Sequence, residues 1–167
     1  MVVLDLFCGA GGWSRGFARR GWTCVGVDVK AHGYPFEFIA DDVRNLPASF
    51  IDRFDAVVSS PPCEEFARAC LPWIKQSTPS ALSIELLQWS VDQTRRKNRV
   101  TECSVFATRF VPGAVVTDSW ALWGDIPLLL PRLVRDKERK SGLNPANRAL
   151  IPEHLADWFA SYFARVY

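Results

Sequence analysis

The chain has 167 residues, 49% of them hydrophobic and 23% charged, with a net charge of +2. That length buries a core in one domain of ordinary size, and that composition excludes a disordered tail or a fibre. Charge or proline interrupts every apolar run before membrane-spanning length, so no membrane contact is expected.

In chain order, Val2–Phe7 reads as a strand running into the Gly9-Ala10-Gly11-Gly12 turn. Trp13–Arg20 fits a short helix closed by Gly21. Thr23–Val27 is a second strand with Asp28 at its end. Phe36–Ala40 is a third, followed by Asp41-Asp42, and Ala56–Ser59 is a buried fourth. Ser80–Arg95 carries Leu82, Leu86, Leu87 and Val91 near one face of a helix. Arg99–Cys103 and Ser119–Trp123 are further strands. Asn147–Tyr167 reads as a closing helix, with Pro152 near its first turn and Leu155, Phe159 and Phe163 at i, i+4, i+8. Segments 64–79 and 127–147 read as loops of functional length. Alternating strands and helices imply an α/β fold, a mostly parallel twisted sheet with helices on both faces.

The opening Met-Val-Val-Leu-Asp-Leu-Phe has no basic n-region, which predicts a cytoplasmic protein. Five cysteines, at 8, 24, 63, 70 and 103, form no CxxC pair, and there are two histidines. Neither a disulfide scaffold nor a metal site is expected. Residues 91–140 hold ten Lys/Arg against six Asp/Glu. A basic helix end and a solvated loop account for that excess as well as phosphate contact does.

In a doubly wound sheet, ligands bind past the carboxyl ends of the strands. The first strand ends in Asp5-x-Phe7-x-Gly9-x-Gly11-Gly12, and Ser14 stands where a dinucleotide fingerprint has its third glycine. Asp5 before the turn repels a pyrophosphate and suits a cationic ligand. Asp28 is placed to accept from a ribose, and Asp42 from an adenine amino group. Adenosine with a positive charge and no phosphates describes S-adenosylmethionine. For Asp41 a strand-end or helix-cap role is preferred.

Ser59-Ser60-Pro61-Pro62-Cys63 follows the fourth strand directly. Two prolines fix φ twice and hold the next side chain in one place. Cys8, Cys24, Cys70 and Cys103 read as small buried hydrophobes. Cys63 differs by its place beside the presumed cofactor.

The stretch Leu4-Asp-Leu-Phe-Cys-Gly-Ala-Gly-Gly-Trp-Ser-Arg-Gly-Phe17 resembles the first motif of the cytosine-5 DNA methyltransferases, in their short, phage-type form. Ser60-Pro-Pro-Cys63 resembles their Pro-Cys motif, and Val100-Thr-Glu102-Cys the strand bearing Glu-Asn-Val. Leu122-Trp-Gly-Asp-Ile-Pro127 and Arg148-Ala-Leu-Ile-Pro152 resemble the end of such members. The resemblance implies a Rossmann-like class I S-adenosylmethionine-dependent methyltransferase fold. It also implies methyl transfer to C5 of cytosine in DNA, through a covalent adduct of Cys63 at C6. Glu102 then holds N3 and the exocyclic amine, with a salt bridge to the nearby arginines as its alternative role. Cofactor contacts carry over to Phe7, Gly9, Gly11, Asp28, Val29, Asp42, Val43 and Pro62, beside Asp5 from the charge reading. Trp13 stands where the family has Phe. Phe7 packs on adenine by the same motif, although an aromatic at 7 or 13 fits the core equally well. No Gln-x-Arg-x-Arg segment occurs, so the arginine for the cytosine carbonyl is unassigned.

The expected organisation is one catalytic domain over 1–167 without a separate target-recognition domain, in a bacterium or phage-infected host. Two alternatives stay open. One is a cofactor-binding subunit of weak activity, with a protein partner or second copy supplying recognition. The other is methylation of a free cytosine nucleotide or RNA.

Overall fold

The computed structural model describes residues 1–69, 78–127, 130 and 151–166. Seven strands are hydrogen-bonded in the order β3-β2-β1-β4-β5-β7-β6. They are β1 (Val2–Leu6), β2 (Thr23–Asp28), β3 (Glu37–Ala40), β4 (Ala56–Ser59), β5 (Arg99–Ser104), β6 (Val115–Thr117) and β7 (Trp120–Gly124). The described residues fall into two compact units, 1–58 with 151–166, and 59–130.

In the first unit β1 pairs parallel with β2, and β2 with β3. The order reverses between β1 and β4, the kind of switch point past which α/β sheets bind ligands. Helix α1 (Gly12–Arg19) follows the glycine turn. A short α2 (Ala48–Ile51) precedes β4. Helix α5 (Glu153–Phe163) begins after Pro152. Trp13, Phe17, Phe159 and Phe163 form its aromatic core, with Trp13 edge-on to Phe159 at 5.6 Å. Small residues let the helices meet: a Cβ on Gly16 would fall 2.6 Å from the Asp157 nitrogen. Arg20 pairs with Asp157 on the exposed rim at 2.5 Å, a contact of little energetic weight.

In the second unit β7 pairs antiparallel with β5 and with β6, so the sheet is mixed. Helix α3 (Glu64–Arg68) opens the segment expected as a loop. Glu64 and Glu65 in its first turn favour a helix start. Helix α4 (Ala81–Gln93) is capped by Ser80, whose hydroxyl accepts from the Ser83 amide. Glu65 also accepts there, from the Ser80 amide at 2.6 Å and the Ser83 hydroxyl at 2.9 Å. Phe66, Leu87, Cys103, Ala107, Val111, Ala121 and Trp123 make the core, with Cys63 packed against it.

Helices α2 and α3 and strand β6 are absent from the sequence expectations. Each is three to five residues long, too short for a hydrophobic period. The expectations for Cys70, for 70–77, 128–129 and 131–150, and for Tyr167 lie outside the described residues. Among the described residues no helix is long and apolar enough to cross a membrane.

Candidate active site

Of the cofactor expectations, Phe7, Gly9, Gly11, Asp28 and Val29 lie at the carboxyl ends of β1 and β2 in the first unit, Asp42 and Val43 follow β3, and Pro62 belongs to the second unit. Phe7, Gly9 and Gly11 all take positive φ, at 55°, 49° and 83°. A non-glycine residue held there is strained by about 1–3 kcal/mol, and such strain collects at functional turns. A Cβ on Gly9 would meet nothing within 4 Å, so a ligand has room to approach the backbone. Asp28 ends β2, and its Oδ2 accepts from the Gly9 amide at 3.1 Å. Its carboxylate therefore holds the turn and retains lone pairs for a hydroxyl. Val29 next to it is 64% exposed, an apolar surface with no core to fill.

Other members of the expected set sit differently. Asp5 is buried, and its Oδ2 accepts from the Ser14 hydroxyl at 2.7 Å and from the Ser14 amide at 3.3 Å. Burial lifts its carboxyl to about 7, with the Asp28 charge adding to the rise. The Trp13 ring is 1% exposed among Phe17 and Phe159, so its side chain is core rather than a ligand contact. Val43 is likewise buried. Asp42 caps a single 3-10 turn and holds the Arg44 guanidinium at 2.6 Å, which keeps its carboxyl below the usual range. An adenine amino group would share that carboxylate with Arg44. Asp41 stands directly after β3 and accepts from the Asp42 amide and from Asn45, while the cap of the turn is Asp42.

The catalytic expectations fall together in the second unit. Pro61 is buried, Pro62 is exposed, and Cys63 stands half-buried at the N-terminal cap of α3. Cys8, Cys24, Cys63 and Cys103 are free thiols, and of these only Cys63 is not fully buried. Burial first, and then the Glu102 carboxylate, push its thiol up to about 12. Glu102 lies on β5 with 6% exposure and accepts from the Ser60 hydroxyl at 3.2 Å. Burial pushes Glu102 up to about 8, so it holds a proton at neutral pH. No described ion pair involves it. Arg95 pairs with Asp92 and Arg99 donates to the Gln93 carbonyl, and the shift of Glu102 is caused by burial and the Ser60 hydroxyl, with no arginine among its causes.

Strand alternation explains the placement. Thr101 bonds the Ser90 carbonyl of α4 and Cys103 joins the core, so Glu102 projects from the other face of β5. Ser60 was not anticipated from the sequence, although it stands within the Ser-Pro-Pro-Cys motif itself. Ser14 was noted only as a missing glycine. No metal-ligand cluster occurs among the described residues.

No protein-family profile matches the chain. A Methanocaldococcus jannaschii protein named as a type II methyltransferase is 34% identical over 83 residues, covering 41% of this chain and 27% of that protein. Among solved structures, an Escherichia coli protein described as a prophage-encoded DNA modification methyltransferase is similar at 21% identity and TM-score 0.47. That similarity covers 68% of this chain and 38% of the other. Spodoptera frugiperda DNMT2 is similar at 22% identity and TM-score 0.37, covering 62% and 35%. The chain thus spans 27% of the length of the curated relative it matches.

Proposed function

We propose that this chain is an S-adenosylmethionine-dependent methyltransferase domain acting on C5 of cytosine in DNA. One observation carries the reading: the half-buried thiol after two prolines shares its unit with a buried carboxyl that is protonated at neutral pH and that, once ionised at higher pH, raises the thiol. A nucleophile and an acid are what addition to cytosine requires. The methyltransferase name of the curated relative supports the reaction class.

The glycine turn, Asp28 and Val29 are the residues that fit the cofactor. The open space at Gly9 admits the adenosyl moiety, Asp28 accepts from ribose hydroxyls, and Val29 packs on the base. Bound there, S-adenosylmethionine supplies a methyl group activated by its positive sulfur. Glu102 gives its proton to cytosine N3 as the Cys63 sulfur bonds to C6, and electron density moves to C5. The thiol proton leaves to solvent. After C5 is methylated its proton leaves to solvent, the sulfur–C6 bond breaks with its electron pair on sulfur, N3 returns its proton to Glu102, and the Cys63 thiolate takes a proton back from solvent.

The test is transfer of a labelled methyl group to plasmid DNA, RNA and deoxycytidine monophosphate side by side. Label in DNA is expected. Label in RNA or the nucleotide alone transfers the same chemistry to that substrate, and none in any of the three overturns the reading.

A binding measurement checks the cofactor half. Asp28→Ala is expected to weaken S-adenosylmethionine binding by about 1.5–3 kcal/mol, the worth of a charge-assisted hydrogen bond. Calorimetric titration against wild type reads it, and equal affinities remove Asp28 from the site.

A further inference from the structure

The first unit holds a buried polar chain that the proposed reaction does not use. Asp5 Oδ2 takes the Ser14 hydroxyl at 2.7 Å, and Ser14 Oγ lies 2.6 Å from the Tyr34 hydroxyl. Tyr34 belongs to the connection between β2 and β3 and is half-buried, so the chain runs from a buried carboxyl toward the surface. Two glycines make room for its ring. A Cβ on Gly26 would fall 2.6 Å from Tyr34 Cε1 and 2.7 Å from Cys8 Sγ, and one on Gly11 would fall 3.2 Å from the ring. Glycine inside a buried strand marks such a close approach. Gly11 belongs to the cofactor turn itself, so Tyr34 touches both the turn and the strand that ends in Asp28.

Among the described residues, the groups facing Asp5 are all acidic or neutral. Asp28 and Cys24 come from β2, Cys8 from the turn, Ser14 from α1 and Tyr34 from the connection. The neighbouring β4, Ala56–Ser59, carries no titrating side chain. Among the described residues no cationic group enters the electrostatics of Asp5. A positive ligand at the turn therefore stabilises the ionised carboxylate, to which the described residues supply no counter-charge. A neutral ligand in the same place does not.

We propose that Asp5, Ser14 and Tyr34 form a proton-linked relay under the glycine turn that favours the sulfonium cofactor over its neutral thioether product, increasingly so as pH rises through neutrality. The inference rests on the cofactor reading above. On binding the sulfonium, the Asp5 carboxyl gives up its proton, which passes by Ser14 and Tyr34 to solvent. Ionised Asp5 then accepts from Ser14, and Ser14 accepts from Tyr34. On leaving as the thioether, the product no longer supports that charge, and Asp5 takes a proton back. Tyr34 and Ser14 are positioning residues in this scheme, for they act through Asp5.

Calorimetric titration with S-adenosylmethionine and with S-adenosylhomocysteine from pH 6 to pH 8 tests it, in two buffers of different ionisation heat. The ligands' own amino groups titrate alike with wild type and Asp5→Asn, so the difference between the proteins isolates Asp5. In wild type the preference for the sulfonium is expected to grow about three- to tenfold across that range, with proton release on sulfonium binding in excess of Asp5→Asn. In Asp5→Asn that growth is lost. Tyr34→Phe keeps the ring and removes the donor to Ser14, so the midpoint of the profile moves to higher pH, whereas a purely structural defect lowers affinity equally at every pH. If wild type and Asp5→Asn show the same pH dependence, or Tyr34→Phe leaves the midpoint in place, the inference is overturned while the cofactor reading stands. If neither ligand binds wild type, both are overturned.

Discussion

DNA carrying 5-fluorocytosine is expected to trap the chain as a covalent adduct at Cys63 when S-adenosylmethionine is present. Fluorine does not leave C5 as a cation, so elimination stalls and the sulfur–C6 bond persists. Cys63 follows β4 and two prolines, and among the described cysteines it is the one that is not fully buried. Cys8, Cys24 and Cys103 are closed off by packing, and burial raises all three thiols. Cys63→Ser is expected to lose the adduct entirely and to keep cofactor binding, because the residues fitted to the cofactor belong to the other unit. Denaturing gels and peptide mass mapping read both proteins. An adduct on any other cysteine would displace Cys63 from the role of nucleophile.

Glu102→Gln is expected to move two measurements in opposite directions. Adduct formation slows by about 10²–10⁴-fold, the usual contribution of a positioned acid. Alkylation of Cys63 by iodoacetamide becomes easier, and its pH midpoint falls, because the Glu102 carboxylate is the largest electrostatic cause of the raised thiol. A variant that merely loosens the unit accelerates alkylation without a displaced midpoint. Stability supplies a third reading. The native state binds more protons than the unfolded chain from the ordinary 4.5 of a glutamate up to about 8. The stabilisation by protonated Glu102 is complete below 4.5 and is lost as pH rises through 8. Denaturant midpoints of wild type therefore decline over that window, and Glu102→Gln removes the Glu102 share of the decline, roughly a few kcal/mol. Asp5 contributes a decline of the same sign between the ordinary 3.8 and about 7, which Glu102→Gln leaves in place. Matching declines in the two proteins would show that Glu102 is ionised in the native state.

The glycine turn, the acid closing β2 and the Pro-Pro-Cys sequence were legible without coordinates, because each is a local instruction. Glycine at positive φ, an aspartate at a strand end and two fixed φ angles act over a few residues. The helix expected over 80–95 is present at 81–93, but its buried residues are Ser83, Leu87 and Ser90, and Leu82 of the expected apolar face is 52% exposed. Partnership was not legible. Asp42 belongs to Arg44, Asp5 to Ser14 and Tyr34, and Glu102 to Ser60 across 42 residues of sequence. Trp13 was open to either role until α5 closed on it from the far end of the chain. The protonation of Asp5 also came only with the packed fold. An acid's pKa depends on how much water and countercharge surround it, and packing by residues remote in sequence removes both. Local chemistry along the chain places these groups at the strand ends; long-range packing sets which of them are charged, what each one holds, and which remain open to a ligand.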